Sequence, residues 1–357
     1  MIFRLAECKK NFAPKAESAV LETLIYDNTK TGMVKISRTG YLHKTSFLLT
    51  IKWHYGNYDV NINVIMQRYF RRVLEMKRVA LINDLSGFGK CSLTAAIPVI
   101  SVMGIQACPV PTAILTAQTG FGEFFCDDFT DRMDYFTEQW KKMEVSFDGI
   151  YSGYLASPSQ IEKVMHFQEQ FQEKGTLYLA DPVMGDQGKF YSMVSIEFLE
   201  GMRKLSQMAD VITPNLTELC FLSGVDYESV IACRQKENYI DKIKSLCEKI
   251  LSKAKKPQTV IVTGILSEKE KMDYIGNLAV SREQCFYIET PYTGMGFSGT
   301  GDLFASVICG SLIKGLSIQE AVEKATYFLQ EAIEEATKEK IPRNHGVNFE
   351  KYLSRLL

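Results

Sequence analysis

Short apolar runs recur along the chain from residue 79 onwards, and each run ends at a polar or glycine-containing stop. The runs and their stops are Val79–Ile82 before Asn83-Asp84, Leu177–Ala180 before Asp181, Val211-Ile212 before Thr213-Pro214-Asn215, and Val260–Val262 before Thr263-Gly264. Runs that stay apolar without alternation are typical of parallel strands buried on both faces. We therefore predict a parallel strand at each of these positions.

Helical patterns lie between the apolar runs. Ser157 followed by Pro158 is typical of a helix start, and apolar residues follow at helical spacing. Ser317 with Glu320 three residues later is a capping-box sequence, and its apolar positions continue to Ile333. Alternating strands and helices predict an α/β fold, with a doubly wound, mostly parallel central sheet flanked by helices.

The polar stops are candidate site residues because ligands of open parallel sheets bind beyond the carboxyl ends of the strands. Asp84, Asp181, Thr213, Asn215 and Thr263 follow the predicted strands and should meet at one edge of the sheet. Each of these residue types also favours turns and helix caps, so one of them alone would carry little weight. Together they predict a binding site at this edge.

The segment Gly294–Asp302 reads GMGFSGTGD and leads into an apolar stretch able to start a buried helix. Glycines at a helix start let backbone N–H groups approach an anion, so the N–H groups of Gly299, Thr300 and Gly301 predict a phosphate site. Asp302 would lie in the first helical turn, where a carboxylate can accept a proton from an attacking hydroxyl. The alternative is that Asp302 only caps the helix. Neither the Rossmann G-x-G-x-x-G after the first strand nor the Walker phosphate loop is present.

Further carboxylates suggest a polar substrate and a hard cation. Asp84 and Ser86 lie in a glycine-containing turn after the first predicted strand, where they suit a small polar substrate better than a pyrophosphate. Asp186 and Glu218 are oxygen donors of the type that holds Mg²⁺ together with nucleotide phosphates. Glu218 also fits an ordinary acid at a helix N-terminus.

Composition narrows the functional classes. The chain has 357 residues, is 46% hydrophobic and carries a formal net charge of −1, so it has no global cationic field for nucleic acid or anionic membranes. Without a long apolar stretch or a signal-peptide pattern, we expect neither a membrane span nor secretion, and we expect a cytoplasmic location. Nine scattered cysteines predict reduced, mostly buried thiols, and four separated histidines argue against zinc.

The charge pattern changes near Met76. Residues 1–75 hold 12 Lys and Arg against 6 Asp and Glu, whereas residues 76–357 hold 29 against 36. Residues 41–58 are aromatic and β-prone but show no obvious partner strand. We therefore treat residues 1–75 as an atypical extension of unclear role and 76–357 as the main domain. Three interpretations of this extension remain open: a basic accessory region, a disordered tail, or a translated upstream stretch that is not part of the working protein.

Several motifs, in this order, resemble the ribokinase-like superfamily and in particular its pyridoxal/pyridoxamine kinase branch. The resemblance covers about residues 77–337 and rests on Asp181-Pro182-Val183-Met184-Gly185-Asp186, Thr213-Pro214-Asn215 with Glu218, Thr263-Gly264 and Gly299-Thr300-Gly301-Asp302. It implies that Asp302 is the catalytic base and that the N–H groups of Gly299, Thr300 and Gly301 form the anion hole. It also implies that Asp181, Asn215, Glu218, Thr263 and Gly264 surround ATP and its Mg²⁺, and that Asp186, Thr213 and Thr263 surround a monovalent cation such as K⁺.

The substrate side fits this branch less closely. The stretch Thr116–Phe121, with Gln118 and Thr119, and Tyr154 resemble residues that contact the pyridine ring. The stretch Asp84-Leu85-Ser86-Gly87 is also similar to the stretch after the first strand of hydroxymethylpyrimidine kinases. That branch usually has cysteine where Asp302 stands, which favours vitamin B6 here.

The function implied by the resemblance is ATP-dependent phosphorylation of the 5′-hydroxymethyl group of a B6 vitamer, with the preferred vitamer left open. Alternatives are a hydroxymethylpyrimidine or sugar kinase, or a ligand-binding protein without catalysis on the same fold. The presence of Asp302 argues against the binding protein, which needs no base there. The implied partners are small molecules, and a homodimer is plausible for this superfamily.

Overall fold

The computed structural model describes residues 76–269 and 271–357, together with four strands within the first 75 residues. The chain divides into two compact units, Met1–Glu75 and Met76–Leu357.

The first unit contains an antiparallel sheet with its strands in chain order. The strands are β1 (Leu21–Tyr26), β2 (Met33–Arg38), β3 (Leu48–Tyr55) and β4 (Tyr58–Ile65). The expectation that residues 41–58 lack a partner strand is wrong for β3, which pairs with both β2 and β4. The other residues of this unit, and with them the expectation of a disordered tail there, lie outside the described residues.

The second unit is built on a nine-stranded sheet in the order β15-β14-β13-β12-β9-β8-β5-β6-β7, and β10 and β11 form a separate hairpin. The strands are β5 (Arg78–Ser86), β6 (Gln106–Leu115), β7 (Cys126–Asp128), β8 (Gly149–Ser152), β9 (Leu177–Ala180), β10 (Gly185–Asp186), β11 (Lys189–Phe190), β12 (Val211–Ile212), β13 (Thr259–Lys269), β14 (Met272–Val280) and β15 (Cys285–Pro291). The six strands from β13 to β6 are parallel, and β7, β14 and β15 pair antiparallel at the two ends.

Helices connect these strands. They are α1 (Ser92–Val102), α2 (Thr130–Lys142), α3 (Pro158–Phe171), α4 (Ile196–Met208), α5 (Leu216–Ser223), α6 (Tyr227–Ile231), α7 (Tyr239–Leu251), α8 (Thr300–Lys314) and α9 (Ile318–Lys338), followed by two 3₁₀ segments, Arg343–His345 and Phe349–Leu356. Both predicted helix starts are confirmed, since the Ser157 side chain caps α3 and Ser317 and Glu320 form a capping box on α9. The predicted doubly wound architecture is confirmed as well. None of the described helices is long and apolar enough to cross a membrane.

Both faces of the sheet are covered, which explains the continuous apolar runs. Along β5, Ala80 and Ile82 pack into the core formed with α3, α4, α5 and α7, whereas Val79 and Leu81 pack into the core formed with α1, α8 and α9. All four side chains are fully buried. Because neither face is open to water, no polar residue alternates with them until the strand reaches Asn83.

The cysteines of the described residues are free thiols, as expected. Only half of these eight are buried, and Cys126 and Cys285 are exposed, so the expectation of mostly buried thiols holds for half of them. Cys8 lies outside the described residues.

Candidate active site

The glycine-rich segment before α8 forms a backbone cradle. Gly299 is the N-cap of α8 and has φ of +84°, in the left-handed region that favours glycine. A Cβ atom at this position would lie 1.9 Å from the Lys90 carbonyl oxygen, so only glycine fits against the loop before α1. The N–H groups of the first helical turn have no acceptor within the helix, which leaves those of Thr300 and Gly301 able to bind an anion.

Asp302 lies in the first turn of α8 and is held by the end of β5. The side-chain amide of Asn83 donates a 3.0 Å hydrogen bond to the Asp302 carboxylate, and the Ser92 N–H also stabilises its charge. Part of Asp302 stays accessible to solvent, but protein atoms surround its carboxylate, and this burial raises its pKa to about 6. Asp302 is therefore mostly ionised at neutral pH, and a pKa of about 6 is close enough to neutrality to suit a general base.

Asn83 organises this part of the site, although we did not single it out from the sequence. Its side-chain oxygen accepts the backbone N–H groups of Asp84 (3.0 Å) and Tyr154 (2.8 Å), while its amide nitrogen donates to Asp302. A Cβ atom on Gly153 would lie 2.4 Å from the Asn83 amide nitrogen, so the glycine makes room for it. The sequence did contain a signal for Asn83, because it is the first polar residue after the apolar run Val79–Ile82 and stands before Asp84.

Ser92 connects Asp302 with Asp84. It is the first residue of α1 and has φ of +49°, which is uncommon for a residue with a side chain. Its N–H stabilises the charged form of Asp302, and its hydroxyl does the same for Asp84. Nothing in the sequence indicates the left-handed conformation of this serine.

Asp84, Ser86 and Tyr154, the residues expected on the substrate side, lie close together. The expectation that Asp84 and Ser86 lie in a turn after the first strand is wrong, because β5 continues to Ser86. The Ser86 hydroxyl donates a 2.7 Å hydrogen bond to the Asp84 carboxylate, and both residues are buried. Burial raises the pKa of Asp84. It also raises the pKa of Tyr154 to about 12, with a further contribution from the nearby charge of Asp84. The three side chains form a polar wall beside Asp302.

Gln118 and Thr119 differ in their surroundings. The buried Gln118 amide donates to the Asn344 carbonyl (3.1 Å) and accepts the Gly120 N–H (2.7 Å), so its polar atoms are used within the protein. Thr119 is exposed. Gln118 therefore fixes the loop after β6 against the C-terminal segment.

Two acidic residues lie buried in this region, Asp181 directly after β9 and Glu218 in the first turn of α5. Burial is the main cause that raises the pKa of Asp181 well above its usual value, followed by the charges of Glu218 and Asp302. Burial likewise raises the pKa of Glu218 to about 8, although it accepts the N–H groups of Met184 (3.0 Å) and Asn215 (2.9 Å). Glu218 thus occupies a capping box with Asn215, the helix-end role considered above, but in a buried acidic surrounding.

The neighbouring loops supply uncharged oxygen atoms. The Thr213 hydroxyl is buried beside the Asp181 carboxylate, whose charged form it stabilises. Thr263 and Gly264 form the irregularity of β13 between Val262 and Ile265, where Gly264 has φ of +67°. The Thr263 N–H donates to the Pro214 carbonyl, and Thr263 forms a bridge to Asn215. Thr213 and Asn215 follow β12 and lie next to Thr263. The expectation that the strand ends before Thr263 is wrong, because β13 continues through this irregularity to Lys269.

Asp186 lies at the end of β10 and is the most exposed of the predicted acids, with 46% of its side chain accessible. Its carboxylate lies 3.6 Å from the guanidinium of Arg343, a residue absent from our sequence predictions. The signal was weak because Arg343 lies far along the chain, beyond α9.

The acids fit a cation that arrives with a phosphorylated ligand. Within residues 76–269 and 271–357, no group of three His, Cys, Asp or Glu side chains can hold a metal alone. Over the same ranges Asp181, Glu218 and Asp302 have no ion-pair partner, and burial raises the pKa of each. Mg²⁺ is commonly held by one or two carboxylates plus substrate phosphates, and this donor set suits that arrangement.

The family model for phosphomethylpyrimidine kinases matches residues 89–348. The chain belongs to this family. It is 30% identical over 192 residues to the pyridoxal kinase PdxY of Histophilus somni, which covers 52% of the chain and 63% of that protein. It is 27% identical over 244 residues to the pyridoxal kinase PdxY of Rubrobacter xylanophilus, covering 66% of the chain and 79% of that protein. The aligned part therefore spans less than two thirds of the Histophilus relative.

Solved structures of the family share the fold. A Bacteroides thetaiotaomicron protein assigned to the phosphomethylpyrimidine kinases is 38% identical with a TM-score of 0.73, covering 79% of this chain and 94% of that one. Pyridoxal kinase from Lactobacillus plantarum is 25% identical with a TM-score of 0.70, covering 79% and 97%. The resemblance to pyridoxal kinases drawn from the motifs is thereby confirmed.

Proposed function

We propose that the protein is an ATP-dependent kinase that phosphorylates the 5′-hydroxymethyl group of a vitamin B6 vitamer. The observation that carries this proposal is the position of Asp302, with a pKa of about 6, in the first turn of the helix whose N-terminus forms the anion cradle. A base and a phosphate site placed together support phosphoryl transfer to a hydroxyl.

In the proposed reaction, Asp302 accepts the proton of the substrate hydroxyl as its oxygen attacks the γ-phosphorus of ATP. The new O–P bond forms while the bond between the γ-phosphorus and ADP breaks. Asn83 and Ser92 orient the Asp302 carboxylate, and the N–H groups of Gly299, Thr300 and Gly301 stabilise the charge on the transferred group.

The substrate assignment rests on relatives and on the polar wall. The Bacteroides protein, 38% identical to this chain, has been crystallised with pyridoxal. Asp84, Ser86 and Tyr154 offer hydrogen-bonding groups for the polar substituents of a pyridine ring, next to the base. Gln118 and Thr119 would border this pocket from the loop after β6.

We infer that Mg²⁺ and a monovalent cation accompany the nucleotide. Asp181, Glu218 and Asp186 would hold Mg²⁺, which neutralises phosphate charge when bound. Asn215 and Gly264 would lie beside the nucleotide. The buried Thr213 hydroxyl would join Thr263 and Asp186 around a cation such as K⁺.

Hydroxymethylpyrimidine is the second candidate substrate because the matching family is that of the phosphomethylpyrimidine kinases. The deciding experiment measures ATP-dependent phosphorylation of pyridoxal, pyridoxine, pyridoxamine, hydroxymethylpyrimidine and ribose. We expect the highest kcat/KM with a B6 vitamer. A higher value with hydroxymethylpyrimidine or ribose would reassign the substrate, and turnover of none of them would favour a binding protein. Light scattering of the same sample tests a homodimer.

A further inference from the structure

A short C-terminal segment crosses the candidate site. This segment, residues 342–346, is here called the C-terminal strap. The Ser298 N–H, next to the phosphate cradle, donates to the Arg343 carbonyl (3.1 Å). On the substrate side, Gln118 donates to the Asn344 carbonyl (3.1 Å), and the Asn344 amide donates to the Gly120 carbonyl (2.5 Å). The strap therefore joins the cradle to the substrate loop.

Aromatic contacts fix the strap further. The His345 ring lies 5.3 Å from the Phe88 ring and 5.8 Å from the Phe121 ring, measured between centroids. These two phenylalanines belong to the loops after β5 and β6, and they also contact each other at 5.4 Å. Backbone hydrogen bonds and ring packing thus hold the backbone at Arg343 at a defined place beside the cradle.

The Arg343 side chain extends from the strap towards Asp186. Its guanidinium lies 3.6 Å from the Asp186 carboxylate and is 58% exposed, an arrangement that contributes little in water. No acceptor within residues 76–269 and 271–357 takes a hydrogen bond from this guanidinium. Its N–H donors, five in an arginine, are therefore available to a ligand.

The positive charge of Arg343 acts on the region around Asp181, Asp186 and Glu218. Burial raises the pKa of Tyr191, and the charges of Glu218, Asp186 and Asp181 raise it further, whereas Arg343 lowers it. Arg343 therefore provides a positive charge in a region where Asp181 and Glu218 have no ion-pair partner in the described part of the chain. A polyanion bound at the cradle would lie beside the Arg343 backbone, whose side chain carries this positive charge.

We propose that Arg343 binds the phosphate chain of the nucleotide, exchanging its weak pair with Asp186 for hydrogen bonds to phosphate oxygens. This inference rests on the proposed function only in requiring a nucleotide at the cradle. A guanidinium and a phosphate form two parallel, charge-assisted hydrogen bonds, which exceed an exposed pair at 3.6 Å. Asp186 is then free to face a cation.

The test compares the wild type with Arg343→Gln, Arg343→Lys and the control Arg355→Gln. Arg355 lies in the second 3₁₀ segment and is also exposed, at 66%. It forms an ion pair with Glu331 of α9 at 3.1 Å. Calorimetry gives the Kd of a non-hydrolysable ATP analogue, ADP and adenosine, each with Mg²⁺. Arg343→Gln should weaken binding of the ATP analogue about tenfold, as for loss of a charged hydrogen bond. The Kd of the ATP analogue for Arg343→Lys should lie between the values of the wild type and Arg343→Gln. Adenosine should bind all the variants as it binds the wild type, and Arg355→Gln should bind every ligand as the wild type does.

Comparing the three ligands distinguishes a lost phosphate contact from a distorted site. Weaker binding of the ATP analogue alone supports the assignment and places Arg343 on the γ-phosphate. Weaker binding of both the ATP analogue and ADP supports it as well and places Arg343 on the β-phosphate. Equal losses for adenosine would overturn it, because the variant would then have distorted the site. Unchanged Kd values in Arg343→Gln would overturn it as well. A wild type that binds no nucleotide would instead refute the proposed function, and this assignment with it.

Discussion

The Asp302 carboxylate is the residue on which the proposed chemistry depends most directly. Asp302→Asn keeps the size of the side chain but removes the proton acceptor, so kcat should fall about 10²- to 10⁴-fold. The melting temperature above pH 6 should not fall, because the variant also removes a charge that burial disfavours. Coupled ATP assays and thermal melting measure both quantities.

Asp131→Asn is a matched control for this variant. Asp131 also lies in the first turn of a helix, α2, and is exposed. Its replacement should leave kcat unchanged. An Asp302→Asn protein that kept more than about a tenth of the wild-type kcat, equivalent to about 1.4 kcal/mol of barrier, would contradict the role of general base.

The pKa of Asp302 also predicts a pH dependence. Since it rises from 3.8 to about 6 in the folded protein, kcat/KM should fall as the pH is lowered through about 6, where the base becomes protonated. For stability the sign is opposite. The raised pKa favours the folded state below about pH 4, and this contribution is lost as pH rises through 6. The wild type should therefore gain stability relative to Asp302→Asn on acidification. A kcat/KM that stays flat down to pH 5 would contradict this assignment.

Sequence reasoning finds some site residues and misses others for physical reasons. Asp302 and Asp84 stand beside glycine turns and strand ends, and such local patterns are visible along the chain. Asn83 and Ser92 act through hydrogen bonds to carboxylates that are distant in sequence, so no local spacing marks them. Arg343 reaches Asp186 only because the chain returns across the sheet edge after α9.

At the scale of elements, two helices begin with the same cap in different surroundings. Glu218 on α5 and Glu320 on α9 occupy the same position of a capping box. Glu218 is buried with a pKa raised to about 8, whereas Glu320 is exposed and its hydrogen bonds with Ser317 lower its pKa. The burial of Glu218 supports the proposal that it also binds a cation, whereas Glu320 only caps its helix.

Glu218→Gln should raise the Mg²⁺ concentration needed for half-maximal activity, because it removes an oxygen anion from the proposed cation site. Its stability should match or exceed that of the wild type above pH 8, where the buried carboxylate is charged. Glu320→Gln, the control, should lower the melting temperature slightly and leave the magnesium titration unchanged. If both variants had the same midpoint in the magnesium titration, Glu218 would be a helix cap without a role in cation binding.

Strand prediction succeeds where burial dictates the pattern. The central strands β9 and β12 match the predicted bounds because both of their faces are buried. The antiparallel strands β7 and β15 at the sheet ends are partly exposed and carry mixed residues, so their sequences lack a continuous apolar run. In the first unit, the pair Gly56-Asn57 between β3 and β4 is typical of a two-residue hairpin and was the overlooked signal.

At the scale of the whole molecule, the second unit contains everything the proposed reaction needs. Every predicted site residue, and Asn83, Ser92 and Arg343 with them, lies within Met76–Leu357. This unit has a hydrophobic core on each face of its own sheet. The family match likewise begins at residue 89, beyond the four strands of the first unit.

We therefore expect a shortened protein that begins at Met76 to fold and to keep its kcat/KM within a few-fold of the full chain, since a single α/β unit of this size buries its own core. A second protein that begins at Leu21 retains β1 to β4 and serves as the control. Kinetics with the preferred substrate and thermal melting compare the three proteins. If the protein from Met76 aggregates, or loses more than about tenfold in kcat/KM, while the protein from Leu21 behaves as the full chain, then the second unit needs the first and this expectation is wrong.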